Sequence, residues 1–305
     1  MIKKLMKGQA PDAGQVITFP KLLSTKFDGI RCSVQDGQVL SYSLKSIPNE
    51  YIRKCLSRPQ YEGLDGELIV GPANHELTYN TTASAVMSIK GEPDFKFYVF
   101  DTVNHAELPY EDRLAIVKIL ASSLEHTIVT DQVRINSQEE LAAAYEQNLA
   151  EGYEGAIVRS TSGMYKHGRC TAKSQDLLKY KPLEDAEASF TVGEGDFWVT
   201  GIYEAQTNNN EKFINETGHS ARSSHAENKV GNGMLGGFYV TSKAGVQFKV
   251  APGKIKHDER EAIWQAHLRG EAIKHDFLKF NYLPVGMLNA PRHPRAIGWR
   301  SRDDL

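Results

Sequence analysis

The chain has 305 residues, and its 40% apolar and 24% charged residues are typical of a globular protein. Its formal net charge of −2 excludes a broadly basic protein, so any nucleic-acid surface has to be a local patch. The length predicts two domains. No apolar run is long enough to span a membrane, the N-terminus lacks the apolar core of a signal peptide, and the three cysteines form no CxxC pair. We therefore expect a cytoplasmic protein in a reducing compartment.

The first 184 residues predict a mixture of strands and helices. Asp36-Gly37 lies between two apolar stretches and predicts a hairpin turn. Ser137 followed by Glu140 is a capping-box pattern that predicts the start of a helix, and Gly152 is placed to end it. Strands are predicted within 20–45, at the end of 61–70, and at 95–103, 154–160 and 177–181; helices are predicted at 47–57, 80–89, 110–124 and 137–152.

The pattern changes after residue 184. Residues 185–305 hold several short apolar stretches, a hairpin pattern at 239–250 and one helical stretch near 257–269. The fold class predicted is α+β, with an α+β first domain at 1–184 and a small β-barrel domain at 185–305. Residues 206–233 carry six asparagines and few apolar residues, a composition that by itself indicates a disordered surface insertion.

The candidate catalytic motif is KFDGIR, at residues 26–31. A lysine that attacks phosphorus must be neutral, and neighbouring cations or a metal lower the pKa of such an amine. In an extended segment Asp28 lies on the same face as Lys26, and Gly29 lets a nucleotide or the chain approach closely. Taken alone, these residues are equally typical of a strand end at the surface.

Three further segments carry charges that fit a phosphate-transfer site. Asp65-Gly66-Glu67 precedes an apolar strand and Glu154 opens another, although both are also typical of ordinary turns. Lys179 and Lys181 alternate along a predicted strand and so project to one side. Two cations there would hold an α-phosphate and lower the pKa of Lys26, and a solvated strand face is the competing interpretation.

The chain carries these motifs in a fixed order: KFDGIR, LSYSLKSIP, LDGEL, FYVFD, EGYEGAIVR and LLKYK. This order resembles the covalent nucleotidyltransferases, which are ATP-dependent DNA ligases, RNA ligases and mRNA capping enzymes. The resemblance is strongest to the minimal, chlorella virus-type DNA ligases, and it covers nearly the whole chain. It implies a nucleotidyltransferase (adenylation) domain of antiparallel sheets and helices at 1–184 and an OB-fold domain at 185–305. It also implies that 206–233 closes around DNA, being disordered when free and ordered when bound.

The resemblance implies a role for each matching residue. Lys26 would be the adenylated nucleophile, Glu67 would hold the ribose, and Phe100 would stack on adenine. For Phe100 the competing interpretation is core packing, and for Arg300 a solvated terminus. The implied nucleotide-binding set is Thr25, Lys26, Arg31, Glu67, Phe100, Lys179, Lys181 and Arg300; the metal ligands are Glu154 and Asp28; the DNA-binding set is Asp28, Arg31, Lys45, Arg169 and Arg222.

One position departs from the family pattern. The family has an arginine after the serine in the strand that follows the KxDG motif, and that arginine grips the 5′-phosphate of the nick. Here the position is Tyr42, in LSYSLK. Because tyrosine offers a hydroxyl but no charge, we expect either weaker nick binding or substitution by another cation such as Lys45.

These features predict an ATP-dependent DNA ligase that seals 3′-OH/5′-phosphate nicks in duplex DNA through lysyl-AMP and a DNA-adenylate. The implied cofactors are ATP and Mg²⁺ or Mn²⁺, the partner is nicked duplex DNA, a monomer is expected, and the small size is typical of phage-encoded or virus-encoded enzymes. The alternative among enzymes is an RNA ligase or an mRNA capping-type nucleotidyltransferase. The alternative from another class is an inactive nucleic-acid-binding protein. The absence of zinc-binding cysteine pairs argues against an NAD-dependent ligase.

Overall fold

The structure is a computed structural model that describes residues 4–214, 220–223, 225–287 and 289–302. The chain divides into two compact units, Met1–Lys181 (unit 1) and Pro182–Leu305 (unit 2). This division lies close to residue 184, where the sequence predicts the domain boundary. Among the described residues, no helix combines the length and the apolar character needed to cross a bilayer.

Unit 1 alternates strands and helices along the chain. Its strands are β1 (Lys21–Lys26), β2 (Ile30–Gln35), β3 (Gln38–Ser41), β4 (Leu64–Val70), β5 (Phe95–Thr102), β6 (Thr127–Val129), β7 (Val133–Ile135), β8 (Gly155–Ser160) and β9 (Leu177–Tyr180). Its helices are α1 (Glu50–Leu56), α2 (Thr78–Met87), α3 (Tyr110–Ala121) and α4 (Gln138–Ala150), with a short 3₁₀ helix at Pro59–Tyr61. The mixed helix and sheet class predicted from the sequence is confirmed.

The strands of unit 1 form two sheets. One has the order β7-β1-β8-β9 and is antiparallel throughout. The other has the order β3-β2-β4-β5-β6 and is antiparallel except for the β5–β6 pair. Phe95, Phe97 and Val99 alternate inward along β5 and pack in a core with residues of α1, α2 and α3. These buried faces fix the strand ends that carry the candidate site.

Local chemistry explains several element boundaries. The Ser137 side chain accepts a hydrogen bond from the Glu140 backbone N–H at 3.2 Å, so the predicted N-cap of α4 is confirmed. The Glu140 carboxylate bonds to the Asn136 backbone N–H at 2.8 Å, one residue earlier than the capping-box pattern predicts. Between β2 and β3, Asp36 and Gly37 have φ values of 51° and 69°, the positive pair that a tight hairpin turn requires.

Unit 2 is built around one six-stranded sheet. Its elements are β10 (Glu184–Ser189), β11 (Phe197–Asn208), β12 (Lys212–Ile214), β13 (Ser220–Arg222), β14 (Lys229–Ser242), β15 (Gln247–Val250), α5 (His257–Leu268), β16 (Phe277–Leu283) and β17 (Arg292–Arg300). The strand order is β15-β14-β11-β10-β16-β17. The edge strands meet only just beyond β15, where Ala251 and Arg295 form a parallel bridge. Helix α5 lies between β15 and β16 in the chain, and the sheet is partly open. Both features fit the predicted OB-fold, although the sheet does not close into a full barrel.

The composition of 206–233 predicts disorder, and this is wrong for the residues that the structure describes there. β11 and β14 pair as far as Asn208 and Lys229, and β12 and β13 form a separate two-stranded sheet. Two asparagines donate hydrogen bonds that hold the loop. The Asn208 amide donates to the backbone oxygen of Ser223 at 2.8 Å, and the amide of the buried Asn210 donates to the backbone oxygens of Ser223 and His225 at 2.9 and 2.8 Å. Amide side chains thus replace the apolar contacts that this segment lacks. Residues 215–219 and 224 lie outside the described residues.

Candidate active site

The register between β1 and β8 sets the position of Lys26. Lys26 is the last residue of β1 and lies opposite Gly155, the first residue of β8, which brings Glu154 next to the lysine. Lys26 Nζ and Glu154 Oε2 form an ion pair. The lysine side chain is 20% exposed whereas Glu154 is buried, so the candidate nucleophile is open to a ligand and its acidic partner is not.

Gly29 lies in the turn between β1 and β2 and tolerates no side chain there. A Cβ at this position would lie 2.3 Å from the Leu68 carbonyl oxygen and 2.5 Å from Ile69 Cδ1. The sequence left two explanations open for this glycine, approach of a nucleotide or approach of the chain, and the observed contact is with the chain. It brings β4, which carries Glu67, against the turn that follows Lys26.

Lys26 opens onto a cavity of about 200 Å³ within unit 1. Residues from β1, β2, β4, β5, β8 and β9 line it, together with the segment before β1. Six residues predicted for the site are among them: Thr25, Lys26, Arg31, Glu67, Phe100 and Lys179. The other lining residues are Met6, Lys7, Gly8, Ser24, Phe27, Tyr42, Ile157, Arg159 and Leu177.

Glu67 supplies a second carboxylate. It lies on β4 opposite Arg31 of β2. Burial raises the pKa of Glu67 to about 7; Arg31 and Lys26 oppose this rise, whereas Glu154 adds to it. At neutral pH a substantial fraction of Glu67 is therefore protonated, and the carboxyl group can donate as well as accept a hydrogen bond with a hydroxyl group.

Lys179 projects into the cavity from β9 among other cations. Burial, and after it the positive charges of Lys181, Lys26, Lys7 and Arg169, together lower the pKa of Lys179 to about 8. At pH 7 the amine remains mostly protonated. A phosphate group bound there would offset the repulsion between Lys179 and the neighbouring positive charges. Lys181, the other lysine of the predicted pair, comes directly after β9 ends.

Arg31 is fixed by a buried partner that the sequence analysis did not identify. Its Nε and Nη2 donate to the two carboxylate oxygens of Asp65, each at 2.7 Å. The Tyr165 hydroxyl donates to the same carboxylate at 2.6 Å and accepts a hydrogen bond from the Met6 backbone N–H at 3.0 Å. Arg31 is thus held in a rigid fork at the cavity wall.

Phe100 lines the cavity beside two guanidinium groups. Arg31 and Arg159 lie 4.5 and 5.3 Å from the ring centroid, within cation–π range. Arg159 is itself buried and donates to Asp101 at 2.7 Å, and Arg113 donates to the same carboxylate at 2.7 Å. This buried group of two arginines and one aspartate holds the end of β5, where Phe100 lies.

The other residues predicted in unit 1 lie at the edge of the site or outside it. Asp28 is nearly buried in the turn after Lys26. Arg169 donates to the Gln9 side chain at 3.0 Å and acts on Lys179 through its charge. Lys45 is exposed in the turn after β3 and does not line the cavity.

Two predicted residues belong to unit 2. Arg300, at the end of β17, donates to Glu187 at 2.8 Å. Arg222 is exposed on β13 and donates to the backbone oxygen of Asn210. Each of these arginines therefore has a partner within its own unit.

The carboxylates beside Lys26 fit a divalent metal of the magnesium type. Glu154, paired with Lys26, and Asp28, in the turn that follows the lysine, both offer hard oxygen donors. Mg²⁺ typically binds one or two carboxylates and completes its coordination with substrate phosphates and water. The described part of the chain holds no cluster of three or more His, Cys, Asp or Glu side chains placed for a metal, so phosphate oxygens would be needed here.

Three residues of the site were missed from the sequence. Asn148 of α4 accepts from the Thr25 hydroxyl at 3.3 Å and donates to the Gly155 backbone oxygen at 3.1 Å, holding the strand ends around Lys26. Arg159 had a usable signal, because a charge inside the apolar strand GAIVRS indicates a buried ion pair. Lys7 had none, because only tertiary contacts bring the N-terminal segment to the cavity.

A lysine amine, two carboxylates and a group of cations at one cavity have the chemistry needed to bind a nucleotide and to accept its nucleotidyl group on the lysine. The chain belongs to the ATP-dependent DNA ligase family, because the family model described as "ATP dependent DNA ligase domain" matches residues 15–181.

Individual proteins agree with this assignment. The DNA ligase of an African swine fever virus isolate is 30% identical over 182 residues, which cover 54% of this chain and 42% of that protein. The DNA ligase of an Enterobacteria phage is 25% identical over 244 residues, covering 61% of this chain and 47% of that protein. The chain thus spans less than half the length of these curated relatives.

Solved structures extend the likeness to both units. The crystal structure of chlorella virus DNA ligase-adenylate is 27% identical with a TM-score of 0.53, and the match covers 98% of this chain and all (100%) of that one. A structure of a Lig E DNA ligase is 22% identical with a TM-score of 0.67, covering 98% and 100% of the two chains, and shares the fold.

Proposed function

We propose that this chain is an ATP-dependent DNA ligase that seals nicks with 3′-hydroxyl and 5′-phosphate ends in duplex DNA. The observation that carries the proposal is the cavity of unit 1, which Lys26, Glu67 and Lys179 share while Glu154 pairs with the lysine. Family membership supports the choice of ATP and of DNA. The proposal includes action as a monomer.

In the first step Lys26 attacks ATP. Nζ bonds to the α-phosphorus while the bond from that phosphorus to the pyrophosphate oxygen breaks, leaving AMP on the lysine. Attack requires the neutral amine, so the ion pair with Glu154 opens and Nζ gives up a proton to water. Lys179 and Lys181 offset the negative charge on the α-phosphate.

Other residues of the chain orient the nucleotide. Glu67 hydrogen-bonds to the ribose, and Phe100 stacks on the adenine while its ring is held beside Arg31. The Thr25 hydroxyl, at the cavity wall, is available to the nucleotide, and Arg300 of unit 2 orients the pyrophosphate. Glu154 and Asp28 would hold a Mg²⁺ or Mn²⁺ ion, which supplies positive charge to phosphate oxygens when it is bound.

Two further steps act on DNA. AMP passes from Lys26 to the 5′-phosphate of the nick, and the 3′-hydroxyl then displaces AMP to join the strand. The proposed DNA contacts are Asp28, Arg31, Lys45 and Arg169 in unit 1 and Arg222 in unit 2. Their roles are to hold phosphates of the nicked strand in register with the cavity.

The test is formation and use of the covalent adduct. The full chain, incubated with α-labelled ATP and Mg²⁺, should form an adduct whose yield falls by roughly a thousandfold or more in Lys26→Ala. Lys118→Ala is the matched control, because Lys118 is an exposed lysine on α3 outside the cavity. An undiminished adduct in Lys26→Ala would contradict the proposal.

The adduct should then be consumed by a singly nicked DNA duplex, with release of AMP and a sealed strand. Nicked RNA and labelled GTP are the comparison arms. Sealing of nicked RNA in preference to DNA would favour an RNA ligase, and an adduct formed from GTP rather than ATP would favour a capping enzyme.

A further inference from the structure

The N-terminal segment of residues 5–9 is a fixed part of the cavity wall. Leu5 and Met6 are buried. The Lys7 backbone N–H donates to the Gly168 oxygen at 2.9 Å, and its own oxygen accepts from Cys170 at 2.9 Å. Gln9 exchanges backbone hydrogen bonds with β9, accepting from Lys179 at 3.0 Å. Two backbone hydrogen bonds at Lys7 and two at Gln9 fix this segment, and with it the reach of the Lys7 side chain.

The side chain of Lys7 reaches the cavity beside Tyr42. Lys7 Nζ lies 4.6 Å from the centroid of the Tyr42 ring, and both residues line the cavity. The Tyr42 side chain is 44% exposed, so this part of the wall is at the cavity mouth. A ring face attracts an ammonium group without neutralising its charge, so the charge stays available to a ligand.

Lys7, Arg169 and Lys179 form a positive group at the cavity. Within the part of the chain that the structure describes, none of the three makes an ion pair with a carboxylate. Arg169 donates to the neutral amide of Gln9, and the charges of Lys7 and Arg169 both act on Lys179. By contrast, Lys26 and Arg31 each have a carboxylate partner. Clustered cations of this kind fit an anion of more than one charge.

The transfer step of the proposed function requires two phosphates side by side. An oxygen of the 5′-phosphate bonds to the α-phosphorus of lysyl-AMP, the bond from that phosphorus to Lys26 Nζ breaks, and the leaving amine takes up a proton from water. The nucleotide phosphate lies at Lys26 and Lys179, since the new bond forms there. The second phosphate therefore needs cations next to Lys179 but nearer the mouth, where a polymer can enter.

We propose that Lys7 is a substrate-binding residue whose ammonium group, held over the Tyr42 ring, contacts the 5′-phosphate of the nicked strand. The inference rests on the proposed function and names a residue of its second step. It also identifies a cation that can replace the arginine absent at position 42. The cation at the Tyr42 ring is Lys7 of the N-terminal segment, whereas Lys45 does not line the cavity.

The experiment separates nucleotide binding from nick binding. Wild-type chain, Lys7→Met and Lys7→Arg are first loaded with AMP from ATP, and transfer to a 5′-phosphorylated nicked duplex is then followed against nick concentration. Lys7→Met keeps the length of the side chain and removes its charge, whereas Lys7→Arg keeps the charge. Lys118→Ala again serves as the exposed-lysine control.

We expect Lys7→Met to lower kcat/KM for the nick by roughly tenfold to a hundredfold, the effect of one charged phosphate contact. Its rate of AMP loading from ATP should stay within about threefold of wild type, because the proposed contact is with the nick and not with a phosphate of the nucleotide. Lys7→Arg should recover most of the transfer rate. The slope of log K for nick binding against log salt should fall by about one in Lys7→Met.

Two results would overturn the inference. One is transfer by Lys7→Met at the wild-type rate with an unchanged salt slope. The other is slow AMP loading with normal transfer, which would assign Lys7 to a phosphate of the nucleotide. A wild-type chain that forms no adduct from ATP would instead contradict the proposed function, and with it this extension.

Discussion

The cavity of unit 1 and the hairpin of residues 206–233 in unit 2 hold their charges in different ways. In the cavity, Arg31 and Arg159 bond to the buried carboxylates of Asp65 and Asp101. In the hairpin, Arg222 is exposed and its partner is a backbone oxygen. The ion pairs fix the side chains of the first region before a ligand binds, but they require charged groups to be buried. The second holds Arg222 at the surface, so substitution of this arginine should act on binding rather than on stability.

Asp101→Asn is the strongest test of this difference between buried and exposed charges. Two buried guanidinium groups, those of Arg113 and Arg159, would lose their shared counter-charge. We expect the free energy of unfolding to fall by about 3–5 kcal/mol, the usual result of leaving buried charge unpaired. Urea denaturation of the full chain, followed by circular dichroism, measures this loss.

Glu50→Gln is the matched control for Asp101→Asn. Glu50 pairs with Lys90 at 2.9 Å, but both side chains are exposed, so its removal should cost far less. Equal losses in the two variants would mean that burial does not distinguish the two kinds of ion pair here.

Glu67→Gln tests the carboxylate held in the cavity. The folded pKa of Glu67 is about 7, above its ordinary value of 4.5, so the folded chain keeps a proton that the unfolded chain releases between those pH values. The stability of the wild type relative to Glu67→Gln is therefore greatest below about pH 4.5 and declines as the pH rises through 7. We expect a relative change of roughly 2–3 kcal/mol, measured by denaturation at pH 4 and pH 8. A pH-independent difference would contradict the raised pKa.

Lys179→Arg tests the cation whose pKa is lowered to about 8 by burial and by neighbouring positive charges. Above that pH the amine of the free protein loses its charge, so kcat/KM for AMP loading should fall, by roughly tenfold one pH unit higher. Arginine stays charged, so the variant should keep its activity to higher pH even if its activity at pH 7 is lower. Initial rates of adduct formation between pH 6 and 10 measure the profile. An alkaline limb at the same pH in both proteins would contradict this role.

Arg222→Ala should have the smallest effect on folding. Because Arg222 is an exposed hairpin residue, the free energy of unfolding should change by no more than about 0.5 kcal/mol. Nick binding should weaken, and the weakening should diminish as salt is raised, since exposed phosphate contacts are screened. Binding titrations at two salt concentrations measure this. A large loss of stability would show that the hairpin is organised like the cavity.

Local patterns predicted the elements of unit 1 well, because they depend on residues a few positions apart. Examples are the N-cap at Ser137, the turn at Asp36 and Gly37, and the strand that carries Phe100 and Asp101. The same reasoning failed for 206–233, where composition indicated disorder. Amide side chains such as Asn210 supply hydrogen bonds there that hydropathy does not register.

The sequence by itself determined the order of the charged motifs, the candidate lysine nucleophile and the acidic residues that accompany it. It could do so because each motif is a short segment whose chemistry belongs to its own residues, and because the order of several motifs is characteristic of one family. Only the tertiary structure decided which of these charges are paired. The buried partners Asp65 and Asp101, and the meeting of Lys7 with Tyr42, join residues far apart along the chain. Such pairings are set by packing and desolvation, which act on distance in space rather than on spacing in sequence.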